Sequence, residues 1–466
     1  MLAKSTKHVH PMCLLGKEDQ ERKGGVGHPA ITISVKLDNQ GEMMNRRTFM
    51  RSAAQTGLAA SMIGPSAARA STDPDAILTT ADAVGMGEEA TANYFSEQRL
   101  FEALGTTQLK TPTDIQVVAY NFPSWHTSPY MEKYFGKGWT EYDIMKNTRK
   151  LFPGHSMPHY PLWGYYDESD PVWAAREIDL AVTYGVEAWM IDWYWHEGTQ
   201  FYHEQLEKGF LKAENNKKLK FAVMWANHDW KNLYPAYSPE TAAMLLPQVH
   251  TFADLQAVAN YCCEHYFSQS NYLTIDHRPV FAIFDAGKLI DQLGKDGAKR
   301  GLVLFRERCA KLGFPGLHLQ VSNGYGGLEG ELKDFGFDSA TLYGTFGWSY
   351  DRKLAGARQP YGVNACKAFS LWTDHRAQVD VPFYPTCSVG WDDSSRYGER
   401  AAVAINRSPD QFERVVRAAR HFVATQSENK LIYIGAWNEW TEDSVLLPDT
   451  LWGYSYLEAL RRAIKA

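Results

Sequence analysis

The sequence predicts a single α/β domain over residues 111–466, folded as a (β/α)8 TIM barrel. Eight short segments rich in aliphatic and aromatic residues follow one another there, and amphipathic helical patterns lie between them. Most of the segments are apolar along their length, which is typical of parallel strands covered on both faces. Eight such units in one run favour a closed barrel. A doubly wound open sheet is the alternative, but no glycine-rich phosphate loop follows the first segment.

The predicted strands and helices alternate in order along the chain. The strands are expected at 115–121, 186–193, 219–227, 279–285, 317–323, 338–343, 382–390 and 431–437. The clearest helical patterns cover 171–184, 252–266, 301–312, 409–425 and 452–466. The connection between the first two strands is unusually long, and long loops inside compact domains usually serve function.

The N-terminal region resembles an export signal. Residues 44–70 contain Arg46 and Arg47, a short weakly apolar run, and an Ala-Arg-Ala cleavage site before Ser71. This order resembles a bacterial twin-arginine signal peptide. Residues 1–43 are interpreted as an upstream mis-start or a disordered extension, and 71–110 as a linker with a helix at 94–104. We therefore expect export in the folded state by the twin-arginine machinery to the periplasm or outside, without integral membrane contact.

Charge and cysteine content exclude several other classes. The chain has 48 Lys and Arg against 54 Asp and Glu. Residues 1–70 hold ten basic and five acidic residues, so the remainder carries a net charge of −11. Such an acidic domain lacks the basic surface of a nucleic-acid-binding protein. The six cysteines show neither CxxC pairs nor zinc spacing, so no disulfide framework or structural zinc is predicted.

The carboxyl ends of the predicted strands carry aromatic, amide and acidic residues. In a TIM barrel the chemistry lies at these ends, and aromatic faces beside hydrogen-bonding groups suit a sugar. Individual indoles could equally plug the barrel, and individual Asp residues could cap helices. The predicted substrate-binding residues are Tyr120, Trp125, Asp192, Trp193, Tyr194, Asn227, Trp230, Tyr343, Trp391 and Asn438. Trp193, Trp230 and Trp391 are expected to stack on the sugar.

The strongest catalytic candidates are Glu439 and Glu442, three residues apart after the last predicted strand. A helical turn there would bring their Cβ atoms to about 5–6 Å. Glycoside hydrolysis ordinarily uses one protonated and one ionised carboxyl group, and crowding two carboxylates separates their pKa values. The ExxE spacing also occurs on solvated helix faces, but here it follows an apolar strand and lies between tryptophans.

Several motifs together resemble WbsX-like proteins, whose barrel is related to glycoside hydrolase family 99. The resemblance spans roughly residues 115–460. It rests on VAYNFPSWH (118–126), GKGWTEYD (136–143), LFPGHSMPHYPLWGYYDESDP (151–171), MIDWYWHEG (190–198), MWANHDW (224–230), VGWDDSSR (389–396) and AWNEWTEDSVLLPD with WGYSYLEAL (436–460).

This resemblance implies retaining, endo-acting α-mannosidase chemistry, with Glu439 and Glu442 in the positions of the EWHE glutamates. The first glutamate would deprotonate the sugar 2-hydroxyl, which attacks C1 to form a 1,2-anhydro sugar. The second would act as general acid and then as base toward water. Thr441 replaces the family's histidine, which puts the mannose preference in question, and Asp443 replaces a glycine-containing continuation. Because Asp tolerates a left-handed backbone, we expect the loop to be kept.

No metal and no cofactor is predicted. His155 and His159 are four residues apart, but Pro153 and Pro158 argue against a helix that would align them on one metal. Three functions stay open: an exported glycosidase acting on an oligo- or polysaccharide, a glycosyltransferase of polysaccharide biosynthesis, and a non-catalytic carbohydrate-binding protein. Transferases draw on cytosolic nucleotide-sugars, and the export signal therefore favours the hydrolase.

Overall fold

A computed structural model describes residues 115–232, 243–348, 356–424 and 429–465. The predicted extension, signal peptide, linker and helix at 94–104 lie outside these residues. Within the described part of the chain, each of the eight predicted barrel strands is present. They are β1 (Gln116–Asn121), β2 (Ala188–His196), β3 (Lys220–Trp225), β4 (Arg278–Asp285), β5 (His318–Gly324), β6 (Ser339–Thr341), β7 in two halves (Phe383–Tyr384 and Thr386–Ser388) and β8 (Leu431–Gly435).

The strands form a parallel barrel that closes through β7. Hydrogen-bonded neighbours run in the order β7 (first half), β6, β5, β4, β3, β2, β1, β8, β7 (second half). Phe383 pairs with Ala340 of β6, and Cys387 pairs with Ile434 of β8. Pro385 interrupts β7 because proline has no N–H for the ladder, and its carbonyl accepts from Tyr433 N at 2.9 Å. The predicted (β/α)8 barrel is therefore confirmed.

The helices surround the strands, and their ends follow local sequence signals. α3 begins after Asp170, whose side chain accepts from Val172 N at 2.8 Å, and it ends at Gly185 with φ 90°. The helices are α1 (Pro129–Phe135), α2 (Tyr142–Lys146), α3 (Pro171–Tyr184), α4 (Phe252–Cys262), α5 (Ala286–Lys311), α6 (Leu332–Phe335), α7 (Thr345–Trp348), α8 (Tyr361–Gln378), α9 (Ser394–Tyr397), α10 (Pro409–Ala424) and α11 (Ser455–Lys465).

The predicted and observed helices differ mainly at their ends. The pattern at 252–266 continues beyond α4 as a π-helical turn, Cys263–Phe267. The pattern at 301–312 is the second half of α5, which begins earlier and is kinked at Gly294 with φ 71°. The first half of α5 carries Leu289, Ile290 and Leu293, which pack against the core, so the helical pattern begins earlier than predicted. No helix in the described ranges has the length and apolar character needed to cross a bilayer.

Gly185 offers a test of how α3 packs against α11. A methyl group at this position would overlap Ile464 Cδ1 and would also have to adopt the left-handed φ. We expect Gly185→Ala to lower the free energy of unfolding by more than the roughly 1–2 kcal/mol of left-handed strain alone. Gly154→Ala is the control, because Gly154 has φ 80° and open space around it. Urea unfolding measures both losses.

The Ile464→Val substitution removes the overlapping methyl group. The double variant Gly185→Ala with Ile464→Val should therefore lose less than the two single variants together. Equal losses for the two glycine variants would contradict the proposed overlap with Ile464.

Candidate active site

The two predicted catalytic glutamates lie on a short turn after β8. Asn438 and Glu439 pair antiparallel with Val445 and Ser444, and the residues Trp440–Glu442 between them form a 3₁₀ turn. Side chains three residues apart eclipse each other in such a turn. Asp443 then adopts the left-handed conformation, with φ 51° and ψ 30°. Asp443 thus has the left-handed backbone conformation that was expected at this position.

A single guanidinium joins both glutamates. Arg396, on α9 after β7, donates from Nη2 to Glu439 Oε1 at 2.9 Å and from Nη1 to Glu442 Oε1. The side chain of Glu439 is 5% exposed and that of Glu442 is 17% exposed. Glu439 is therefore the enclosed member of the pair, and Glu442 is the one that solvent reaches more easily.

Glu141 is a third carboxylate at the same guanidinium. It directly precedes α2, in the long connection after β1, and its Oε1 lies 3.8 Å from Arg396 Nη2. The Thr441 hydroxyl lies 3.4 Å from this oxygen and 3.1 Å from Glu439 Oε1. One positive charge therefore serves three neighbouring carboxyl groups.

The pKa values of these acids follow from burial and from crowding. Burial raises the pKa of Glu439 well above its usual range; the Arg396 charge opposes this, and the charges of Glu442, Glu141 and Asp192 reinforce it. Burial likewise raises the pKa of Glu141 to about 7, against the opposing charge of Arg396. The site thus holds protons near neutral pH, as acid–base chemistry requires.

His155 and His159 hold the loops that carry these groups. His155 Nε2 lies 2.6 Å from Asp392 Oδ2 in the loop after β7, and His159 Nε2 lies 2.5 Å from Asp443 Oδ1. Arg407 Nη2 also donates to Asp443 Oδ1 at 2.7 Å. The two histidines therefore engage different aspartates. Among the described residues, no group of three or more His, Cys, Asp or Glu side chains is arranged to hold a metal.

Five other predicted binding residues lie on β1 or β2, or follow β3 and β6, at the carboxyl ends of these strands. The Tyr343 hydroxyl donates to Asp192 Oδ2 at 3.4 Å, and the Tyr343 ring meets that of Tyr120 edge-on at 4.6 Å between centroids. Burial raises the pKa of Asp192 well above its usual range. Tyr194 meets the half-buried Trp230 at 5.2 Å and nearly perpendicular. These residues form an aromatic wall beside the acids.

The structure places Trp193 elsewhere. Its indole N–H donates to the Tyr266 hydroxyl at 3.2 Å, and the side chain is only 2% exposed. Successive residues of a strand point to opposite faces, so Trp193 packs toward the helices whereas Asp192 faces the barrel interior. This placement favours a core role for Trp193 over the stacking role predicted from the sequence.

Four other predicted residues are buried among internal partners. The Asn227 side chain exchanges two 2.8 Å hydrogen bonds with the Asp285 backbone, and Asn438 accepts from Phe122 N at 2.7 Å and donates to Phe122 O at 3.0 Å. Both amides thus tie strand ends together. Trp125 is buried against Tyr142, with 4.8 Å between ring centroids, and Trp391 is buried just before Asp392. Their substrate contacts stay predictions.

Arg396 and Glu141 are not among the site residues predicted from the sequence. Both lie inside motifs that carried the resemblance, VGWDDSSR and GKGWTEYD, so a local signal was present. Their roles depend on contacts across 43 and 300 residues. Periodicity and spacing carry no information about contacts over such separations.

The chain matches the model of a known protein family. The family described as Glycosyltransferase WbsX matches residues 117–460. Two relatives described as "Uncharacterized protein WxcX", from Xanthomonas campestris pv. campestris strains B100 and ATCC 33913, are 26% and 25% identical over 370 residues. The alignments cover 78% of this chain and 51% of each relative. The chain therefore spans about half the length of the curated relatives it matches.

Solved structures share the fold. A structure described as "Glycoside hydrolase-like protein" has a TM-score of 0.52 and 16% identity, covering 77% of this chain and 96% of its own. The GH99 endo-alpha-mannosidase from Bacteroides thetaiotaomicron has a TM-score of 0.46 and 14% identity, with coverages of 76% and 97%. The similarity to the glycoside hydrolase-like protein agrees with the barrel fold described above.

Arg396→Gln tests the shared guanidinium. Because folding raises the pKa of Glu439 and Glu141, these acids stabilise the fold most below the ordinary Glu pKa of 4.5. Each loses that contribution as pH rises through its folded-state pKa, which for Glu141 is about 7. Compared with the wild type, we expect Arg396→Gln to have a free energy of unfolding lower by about 3–5 kcal/mol at neutral pH. The difference should become smaller toward pH 5. Denaturant unfolding across this pH range measures it.

Arg462→Gln is the matched control, since Arg462 is half-exposed and pairs with Glu413 at 2.7 Å. Arg462→Gln should lower the free energy of unfolding by less than about 1 kcal/mol, and this decrease should vary little with pH. A pH-independent loss in Arg396→Gln would contradict the electrostatic role given to this arginine.

Proposed function

The chain belongs to the Glycosyltransferase WbsX family, and from its site we propose that this member is a glycoside hydrolase that cleaves a glycan with Glu439 and Glu442. The observation that carries the proposal is the pair of glutamates held by one guanidinium at the carboxyl end of a barrel strand. Catalytic groups of TIM barrels lie at this end. Two neighbouring carboxyl groups in different environments are what glycosidic cleavage needs.

The different exposure of the two glutamates supports separate roles. Glu439 is enclosed, and a base with a raised pKa accepts a proton more readily than an ordinary carboxylate. In the proposed first step Glu439 takes the proton of the sugar 2-hydroxyl, whose oxygen attacks C1. Glu442 gives a proton to the departing oxygen at the same time. The product is a 1,2-anhydro sugar, with no bond to the protein.

The second step returns the site to its starting state. Glu442, now ionised and the more exposed of the pair, takes a proton from water as the water attacks C1. Glu439 gives its proton back to the 2-oxygen as the three-membered ring opens. Two inversions at C1 give overall retention of configuration. Every proton that leaves one glutamate is thus replaced within a single turnover.

The aromatic wall supports a sugar as the substrate. Tyr343 and Trp230 are the part-exposed members of this wall and offer apolar faces near Asp192, which can accept hydroxyl hydrogen bonds. This combination suits the C–H faces and hydroxyls of an oligo- or polysaccharide. An α-mannoside follows from the family 99 resemblance. Thr441, which stands where that family has histidine, turns its hydroxyl to two glutamates.

A glycosyltransferase is the second candidate, and the description of the family favours it. The mature protein incubated with a glycan panel, without any nucleotide-sugar, separates the two. Release of new reducing ends supports the hydrolase. Sugar transfer that requires an added nucleotide-sugar would contradict it, and binding without either reaction would indicate a carbohydrate-binding protein.

We also propose that the protein works outside the cytoplasm. The twin-arginine pattern at Arg46 and Arg47 and the cleavage site before Ser71 support this location. Arg46→Lys with Arg47→Lys should leave the uncleaved precursor in the cytoplasm, as cell fractionation and N-terminal sequencing would show. Arg51→Lys, outside the pair, is the control and should be exported. Normal export of the double variant would contradict a twin-arginine route.

The division of roles predicts different substrate dependence for the two glutamates. Glu439→Gln removes the base for the 2-hydroxyl, so we expect losses on the order of 10²–10⁴-fold in kcat/KM on every substrate. Glu442→Gln removes the proton donor and should lower kcat/KM on the natural glycan by a similar factor. On a glycosyl fluoride, whose leaving group needs little protonation, Glu442→Gln should regain much of the first-step rate. Burst kinetics on both substrates measure this.

Glu413→Gln on α10, outside the site, serves as the control for carboxyl loss. Equal losses on the glycan and the fluoride for Glu442→Gln would overturn the role assignment. Wild-type rates in either glutamate variant would overturn the catalytic pair itself.

A further inference from the structure

Thr441 lies between two carboxyl groups inside the proposed catalytic turn. Its side chain is fully buried. The Oγ1 atom lies 3.1 Å from Glu439 Oε1 and 3.4 Å from Glu141 Oε1, so both oxygens are within hydrogen-bonding distance. The residue that replaces the family's histidine therefore bridges two acids of the chain itself.

Proton counting restricts how this bridge can be satisfied. A hydroxyl has one proton to donate and two lone pairs to accept with, whereas an ionised carboxylate can only accept. If Glu141 and Glu439 were both ionised, Thr441 could satisfy just one of them. Both contacts become hydrogen bonds when one carboxyl group carries a proton and donates it to Oγ1. The bridge is thus complete only when at least one of the two acids carries a proton.

The surrounding charges decide which acid carries the proton. Arg396 Nη2 is 2.9 Å from Glu439 Oε1 but 3.8 Å from Glu141 Oε1. The closer ion pair favours ionised Glu439, which leaves the proton on Glu141. Glu442 faces the same guanidinium, so the positive charge is already shared.

The remaining charged and titratable neighbours act on both acids. Burial is the largest cause of the raised pKa of Glu141 and of Glu439, and the charge of Glu442 raises both further. Tyr202, which follows the short strand Thr199–Phe201 that pairs with β2, faces Glu141 and Arg396, and burial raises its pKa, so it stays neutral. Asp192 faces Glu439, but burial raises the pKa of Asp192 itself well above its usual range. The distance to Arg396 is therefore what distinguishes the two acids.

We propose that Glu141, acting through the Thr441 hydroxyl, exchanges one proton with Glu439 and so keeps the catalytic base ionised before substrate binds. The inference rests on the proposed function. The exchange is balanced: Thr441 gives its proton to Glu141 Oε1 as Oγ1 receives a proton from Glu439, so the proton ends on Glu141 and the hydroxyl is unchanged. Glu141 touches no substrate in this scheme and is a positioning residue.

The direction of one pKa shift tests the bridge without any activity assay. The protein is labelled with glutamate carrying ¹³C at the side-chain carboxyl, and NMR follows its titration, with Glu141→Gln and Glu439→Gln assigning the signals. In Thr441→Val the protonated Glu141 loses its acceptor and the ionised Glu439 loses its donor. We expect the pKa of Glu141 to fall and that of Glu439 to rise, each by about one pH unit.

A threonine that merely donates to ionised Glu141 predicts the opposite result, since its loss would raise the pKa of Glu141. A rise, or no change, in Thr441→Val therefore overturns the proposal. Thr441→Ser keeps the hydroxyl and should restore both wild-type titrations. Thr386→Val is the control, because Thr386 is buried and its hydroxyl meets Thr341 rather than an acid.

Glu141→Gln gives a second, independent readout if Thr441→Val does not fold. Glu442→Gln serves as the background, because Glu442 is also coupled to Glu439. In that background the Glu141 and Glu439 pair should titrate in two steps, and with Glu141→Gln added Glu439 should titrate in one. A two-step curve for Glu439 that persists in the double variant would overturn the proton exchange.

The pH profile of kcat/KM connects the bridge to catalysis. In Thr441→Val we expect the acidic limb of the kcat/KM profile to move about one pH unit upward. In Thr441→Ser the acidic limb should lie at its wild-type pH. A merely structural role would lower kcat/KM equally at every pH. Absence of hydrolysis in the wild type would overturn the proposed function while leaving the NMR test intact, so the two failures are distinguishable.

Discussion

The site depends on one buried positive charge, because three glutamates converge on the Arg396 guanidinium. Carboxylates at this depth cannot all ionise without a cation, since burial disfavours the charged form and like charges repel. The guanidinium fits this task better than an ammonium would, because its two terminal nitrogens address Glu439 and Glu442 separately. The separation of the two glutamates is therefore set by a rigid group rather than by side-chain packing alone.

This charge arrangement requires three loops to meet, and buried side-chain hydrogen bonds hold each of them. The long connection after β1 supplies Glu141 together with His155 and His159. His155 contacts the side chain of Asp392 in the loop after β7. The backbone N–H of Asp392 donates to Glu442 O at 2.7 Å. His159 reaches Asp443 after β8. The length of that first connection, noted in the sequence as unusual, is explained by these contacts.

Local sequence signals predicted the barrel well, and they predicted the site only in part. Apolar runs located every barrel strand because burial on both faces leaves a continuous signature. The left-handed Asp443 also followed from local chemistry. Trp193 shows what residue type alone leaves open: Asp192 and Trp193 lie on opposite faces of β2, and only one of them can face the barrel interior. Arg396 and Glu141 were beyond local reasoning, because their roles arise from contacts between distant loops.

The exchange of histidine for threonine at position 441 has a consequence for recognition. An imidazole at the middle of this turn could reach outward and bond a ligand through either nitrogen. The shorter threonine side chain instead contacts two acids of the protein through its hydroxyl. Under the proposed function, substrate selection would then come from the aromatic wall and Asp192, which lie on other strands. The turn after β8 would govern proton transfer and the neighbouring strand ends would govern which sugar binds, so the two properties could vary separately within this fold.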